Sequence, residues 1–224
     1  MNASKEEQSS VRREALLRAA AEEFFERGYV ATSIDAIIMR AGGSKRNIYN
    51  EFGNKEGLFL ALVQENADAA LSSLEFDEID SPDLRETLIR FGRNLLAVYM
   101  SPTLIGIYRT IVTEANRFPD LARSFYERGP DRATRRLAGV LEAAKQRGEI
   151  ESDDTLQLAG HFVGMIRDNL HLQVILGLRS PPSVDEARQA VISAVEVFLH
   201  GVFRRNSAQM ADRADTPLGI GDAG

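Results

Sequence analysis

Apolar residues recur along this chain at the three-and-four spacing of helices, almost from end to end. Between residues 10 and 27, Leu16, Leu17, Ala20, Ala21, Phe24 and Phe25 make one stripe, with Arg13 at its start. Gly28 is placed to end that helix. A short helix is predicted over 34–40, capped by Thr32 or Ser33 and carrying Asp35 in its first turn. Ala41-Gly42-Gly43-Ser44 breaks the pattern, and either glycine can take positive φ. Ser44 then caps a second short helix over 45–52, and Asn54 a long one over 55–74. The acidic stretch 75–82, with Ser81-Pro82, reads as a loop and domain junction. Further helices are predicted over 83–99, 102–117, a short piece after Phe118-Pro119, then 131–148, 154–176 and 184–203. Residues 206–224 are poor in large apolar side chains and read as a flexible tail. The expected fold is all-α: a helical head over 1–57, a larger helical body over 58–205, and the tail.

Composition narrows the function. The 224 residues hold 27 basic and 33 acidic side chains, a net charge of −6, which excludes indiscriminate coating of nucleic acid. The absence of cysteine excludes disulfides, thiolate zinc sites and a cysteine nucleophile. No apolar run reaches the ~20 residues of a membrane span. The polar first residues show no secretory signal, so a soluble cytoplasmic protein is expected, with no membrane partner. The chain lacks a Gly-rich phosphate loop, a Ser/His/Asp arrangement and paired Glu-x-x-His helices. No enzyme, cofactor or metal is therefore expected.

Two short helices joined through a glycine turn make a helix-turn-helix. The second opens Ser44-Lys45-Arg46-Asn47-Ile48-Tyr49-Asn50. Lys45 and Arg46 can donate to guanine or phosphate, and Asn47 and Asn50 can pair with adenine. Ile48 and Phe52, four apart, face inward and leave the polar side free. Between residues 40 and 55, Arg40, Lys45, Arg46 and Lys55 stand against the single acid Glu51, a local charge of +3. Thr32 and Ser33 at one helix start and Lys55 at another are candidate phosphate contacts. A bare helix corner is common in all-α proteins, and a charge run is more often a solvated face. A helical interaction scaffold without specific DNA binding is therefore the alternative reading.

The stretches Gly28-Tyr29-Val30-Ala31-Thr32-Ser33-Ile34-Asp35-Ala36-Ile37, Ala41 to Phe52, and Asn54-Lys55-Glu56-Gly57-Leu58 closely resemble the DNA-binding domain of TetR-family transcriptional regulators. The match runs over about the first quarter of the chain in order and spacing. Gly43 departs from the Val usual before the reading helix, and Glu51 from the usual neutral residue. Arg117-Phe118-Pro119-Asp120-Leu121-Ala122 is similar to a segment of the AefR-like branch. The resemblance implies a homodimer on a pseudo-palindromic operator, nucleoid-associated when bound, and released by a small-molecule effector. It also implies phosphate contacts from Thr32, Ser33, Tyr49 and Lys55, and base-edge or phosphate contacts from Ser44, Lys45, Arg46 and Asn47.

In the last helix the polar residues Asp185, Glu186, Gln189, Ser193, Glu196 and His200 share one arc. The apolar remainder exceeds what one core can use, so Ala187, Ala190, Ala194, Val197, Phe198 and Gly201 are the expected dimer face, beside the preceding helix. Burial within one subunit is the alternative. On the helix 154–176, one wheel puts Asn169 and Gln173 inside the apolar arc as buried amides, and His161, Arg167, Asp168 and His171 on or near the polar side. Phe91, Leu95, Tyr108, Ile111, Phe125, Phe162, Met165, Asn169 and Gln173 are the candidate lining of a largely apolar effector pocket.

Overall fold

The computed structural model describes residues 2–73 and 83–200. The junction 75–82, Gly201 and the tail lie outside these. Among the described residues every regular element is helical: α1 (Asn2–Arg27), α2 (Ile34–Ala41), α3 (Lys45–Phe52), α4 (Lys55–Ser73), α5 (Leu84–Tyr99), α6 (Pro102–Glu114), α7 (Pro119–Tyr126), α8 (Arg132–Gln146), α9 (Thr155–Ile175) and α10 (Val184–His200). The all-α expectation holds.

Local sequence explains the boundaries. Ser33 and Ser44 accept hydrogen bonds from the amides of Ala36 and Asn47, so each hydroxyl caps a helix start. Gly42 and Gly43 lie at φ of 75° and 114°, so both turn residues occupy conformations that strain any other side chain. Asp83, Ser101 and Asp154 cap α5, α6 and α9 in the same way as the two serines.

Two apolar cores form. The head core combines Leu16, Leu17, Ala20 and Phe24 of α1 with Ile37 of α2, Ile48 of α3, and Leu58, Phe59, Leu62 and Val63 of α4. Ile107 and Ile111 of α6 and Leu121 of α7 complete it, so the head rests directly on the body. Tyr29 sits between rings, with Phe24, Phe59 and Phe118 at 5.4, 5.4 and 5.0 Å. Burying a ring such as Phe24 or Phe59 contributes roughly 2–3 kcal/mol. The body core draws on α5, α8, α9 and α10, with Phe91, Leu137, Phe162, Val191 and Val195 essentially closed to solvent.

Two features depart from the expected helices. Gly129-Pro130 does not break the chain: Glu127–Asp131 forms a π-helical turn joining α7 to α8. A wider turn accommodates a proline, which has no amide hydrogen to give. In α9, Asp168 has φ 40° and ψ −170°, so the element is two helical pieces across a kink. The expected single wheel over 154–176 therefore fails beyond residue 168. His171, placed on the polar side by that wheel, is buried, while Asn169 and Gln173, placed inside, are exposed.

Candidate nucleic-acid interface and effector cavity

The reading helix α3 is held from beneath by Ile48, which is fully buried. It is held from the side by Arg13 of α1, whose guanidinium lies 4.9 Å from the Phe52 ring centre. Arg13 also bonds Glu51 of α3 at 2.8 Å and Glu65 of α4 at 2.7 Å. One side chain thus ties three helices. Glu51, the acid that departs from the family's usual neutral residue, is paired with Arg13. Arg13 was legible in one respect: it is a cation in an apolar stripe.

The outer face of α3 carries Lys45, Arg46, Tyr49 and Asn50, all exposed, with Asn47 half-buried beside them. Ser33 and Ser44 lie exposed at the two helix starts. Each hydroxyl accepts a capping bond and keeps its own hydrogen to donate. Lys45 pairs with Asp35 at 2.8 Å, which raises its pKa. Both partners are well exposed, so the pair yields readily to a phosphate.

The local charge of +3 is not a free patch. Arg40 is clasped by Glu22, Glu23 and Glu26 of α1 at 2.9, 3.1 and 2.8 Å, which raises its pKa. Glu23 is only 3 % exposed, and its Oε2 has no hydrogen-bond donor among the described residues despite Arg27 at 3.1 Å. Lys55 turns inward: its ammonium donates to the carbonyls of Tyr29, Val30 and Thr32 at 2.8, 3.3 and 3.0 Å and lies 4.7 Å from the Tyr29 ring centre. Partial burial lowers its pKa. Thr32 is buried too, its hydroxyl donating toward the carbonyls of Glu23 and Gly28. Both side chains, expected at phosphates, are engaged here with backbone carbonyls of the loop that feeds α2. Their side chains satisfy carbonyls that the Gly28 turn leaves open. Arg46 alone of the four cations is held by neither a carboxylate nor a backbone carbonyl among the described residues.

In the body, a cavity of about 40 Å³ lies between α4, α5, α6, α7 and α8. Val63, Ala67, Leu95, Leu104, Phe125 and Ala133 are among its apolar walls, with Tyr99, the amide of Asn66 and the π-turn residues Gly129 and Pro130 also lining it. Of the nine expected pocket residues, Leu95 and Phe125 line this space. Phe91 and Phe162 fill the body core, and Ile111 the head core. Met165 faces an outer groove, and Tyr108 packs behind Phe125 at 6.2 Å. Asn169 and Gln173 are turned to solvent by the α9 kink. The spacing reads Tyr99 as inward-facing without separating it from the core, and it does not single out Ala133, because a cavity wall and a packed core share one apolar pattern.

The face of α10 expected to meet a second copy carries an open groove. Leu96, Met165, Leu170, Ala190, Ala194 and Val197 line it, and Val197 is 44 % exposed. Ala187 and Phe198 are half-buried against the body core. Val191 and Val195 point inward.

Known proteins place this architecture. A family model for tetR-family bacterial regulatory proteins matches residues 16–62, and one for the C-terminal domain of AefR-like transcriptional repressors matches residues 86–201. The transcriptional activator FasR of Mycolicibacterium smegmatis is 40% identical over 77 residues, 34% of this chain and 35% of FasR. The chain thus matches about a third of that relative's length. The transcriptional repressor Rv1474c of Mycobacterium tuberculosis is 28% identical over 153 residues, 66% of this chain and 76% of the relative. The solved structure of the flavonoid-responsive regulator FrrA superimposes with a TM-score of 0.71 at 34% identity, covering 85% of this chain and 96% of FrrA. The family's members are regulators, and no enzymatic family is indicated. The chain belongs to the TetR family of DNA-binding transcriptional regulators, with an AefR-like C-terminal domain.

Proposed function

We propose that this regulator is a repressor that binds a pseudo-palindromic operator as a homodimer and leaves it when an apolar effector enters the body. The observation that carries this reading is the outer face of α3. Arg46 stands there without an ion pair among the described residues, beside Lys45, Asn47 and Tyr49, with Ser33 and Ser44 able to donate to flanking phosphates. Residues 1–57 serve as the reading head, and 58–205 as the effector and dimer body. The groove lined by Leu170, Ala190, Ala194 and Val197, with Asp168 and Ser193 among them, supports a two-fold contact with a second copy. The small apolar cavity supports an effector that must push its walls apart, α4 among them, and α4 also begins at Lys55 under the head. FrrA is named as responsive to flavonoids, which supports a small, largely apolar effector here. A place in the cytoplasm follows from this reading.

The test is binding to the DNA flanking its own gene at two salt concentrations, with an unrelated duplex as competitor. Site-specific binding that weakens steeply with salt is the expected result. Equal affinity for any duplex, or none, overturns the proposal in favour of an interaction scaffold.

A further inference from the structure

Behind the cavity wall lies a cluster that the DNA-reading machinery does not use. Tyr99 lines the cavity, and Phe125 beside it packs on Tyr108. His171, brought inward by the α9 kink, lies 5.4 Å from the Tyr99 ring and 5.1 Å from the Tyr108 ring. Arg167, one turn before it, sits 5.4 Å from both tyrosine ring centres and donates one hydrogen bond, to the Tyr108 hydroxyl at 2.9 Å.

The charges here are incomplete. Arg167 has no carboxylate within ion-pair distance among the described residues, and four of its five N–H groups make no hydrogen bond there. Tyr99 is 5 % exposed and His171 3 % exposed, their rings packed on Arg167 and Tyr108, while their polar atoms make no hydrogen bond among the described residues and keep some access to solvent. A half-buried guanidinium seated on two rings, with no carboxylate beside it, can still take an anion on its remaining N–H groups. Burial and the neighbouring guanidinium hold the His171 pKa at about 4, so at neutral pH the imidazole is uncharged and offers a hydrogen bond without competing for an anion. A guanidinium fork suits an oxyanion far better than a neutral oxygen.

We infer that the effector is an apolar molecule bearing one acidic oxygen group, its body filling the cavity and its anion received by Arg167 with Tyr99 and His171. The inference rests on the proposed effector cavity and specifies the chemistry of its ligand. Arg167 and His171 stand behind the Tyr99 ring and are not themselves cavity walls, so ligand entry displaces that ring, and the anion supplies the counter-charge that Arg167 lacks.

The experiment uses the full chain and two fluorescent probes with one apolar body, anilinonaphthalene sulfonate and uncharged phenylnaphthylamine. The sulfonate stands in for the acidic oxygen group. Wild type is expected to bind the anion about tenfold more tightly, as one charge-assisted contact implies. Arg167→Met keeps the apolar stem and should erase that preference while leaving the neutral probe within twofold. Arg167→Lys should retain part of it, and Tyr99→Phe should weaken the anion alone by a few fold. Far-UV circular dichroism and melting curves report whether each variant is folded. If wild type binds neither probe, prefers neither, or loses both equally in folded Arg167→Met, the inference is overturned. Ala67→Leu and Ala133→Leu, which narrow the cavity, should weaken both probes. If both probes bind these variants unchanged, the cavity reading itself fails, whatever Arg167 does.

Discussion

The head and the body treat their cations in opposite ways. In the head, Arg13, Arg40 and Lys55 each meet carboxylates or carbonyls supplied by a neighbouring element. In the body, Arg167 lies on two aromatic rings with one hydroxyl for company. The head's pairs link α1 to α2, α3 and α4, so their work is to hold the reading helix in register. A cation whose partner comes from within the fold is committed to the fold. One whose partner is missing remains available to something else, and Arg46 on α3 and Arg167 in the body share that condition. The same test, applied at two surfaces, separates charges the fold pairs internally from the ones proposed above for recognition.

The largest effect expected is on the clasp. Glu23→Gln removes the buried carboxylate from between Arg27 and Arg40, and should cost roughly 3 kcal/mol in a urea melt. A loss under about 1 kcal/mol would mean the clasp is surface decoration. Arg46→Ala should next cost roughly 1–3 kcal/mol of discrimination at one base position, read by competition with single-base operator variants. A uniform loss across sequences would reassign it to phosphate.

The third prediction follows from His171. Its pKa is near 4 in the fold against about 6.5 unfolded, so the unfolded chain takes up the proton first as pH falls. The stability tied to the neutral imidazole is intact above about pH 6.5 and drains between there and pH 4. Between pH 7.5 and 5 that amounts to roughly 2 kcal/mol, which His171→Leu should abolish from the pH dependence of denaturation midpoints. An unaltered pH dependence would place the imidazole in contact with water. The smallest effect concerns Lys55→Met, which should lower stability by roughly 1–2 kcal/mol and leave the salt slope of DNA binding unchanged. A slope reduced by about one, with stability intact, would return Lys55 to the phosphates and break the contrast.

Much of the head was legible in the residues. The two serine caps, the glycine turn and the inward pair Ile48 and Phe52 are local signals, and α3 spans Lys45–Phe52 as the periodicity predicts. Which cations were free was not legible, because Arg40 meets residues 14 to 18 positions away and Lys55 meets carbonyls 23 to 26 positions away. In the body, the wheel for α9 failed at one residue, Asp168, whose backbone turns the later side chains to new faces. A helical wheel assumes a single axis, and no local signal at Asp168 announces the kink.

By itself, then, the sequence determined that the chain is helical, where the head's helices begin and stop, and which face of α3 is polar. Periodicity and capping depend on residues within a turn or two of one another. Only the tertiary structure decided that Thr32 and Lys55 serve the fold, that Leu95, Tyr99 and Phe125 line a cavity while Phe91 and Phe162 fill a core, and that His171 is buried. Those outcomes depend on which helices meet and at what angle, and on the one backbone turn at Asp168 that local periodicity does not encode.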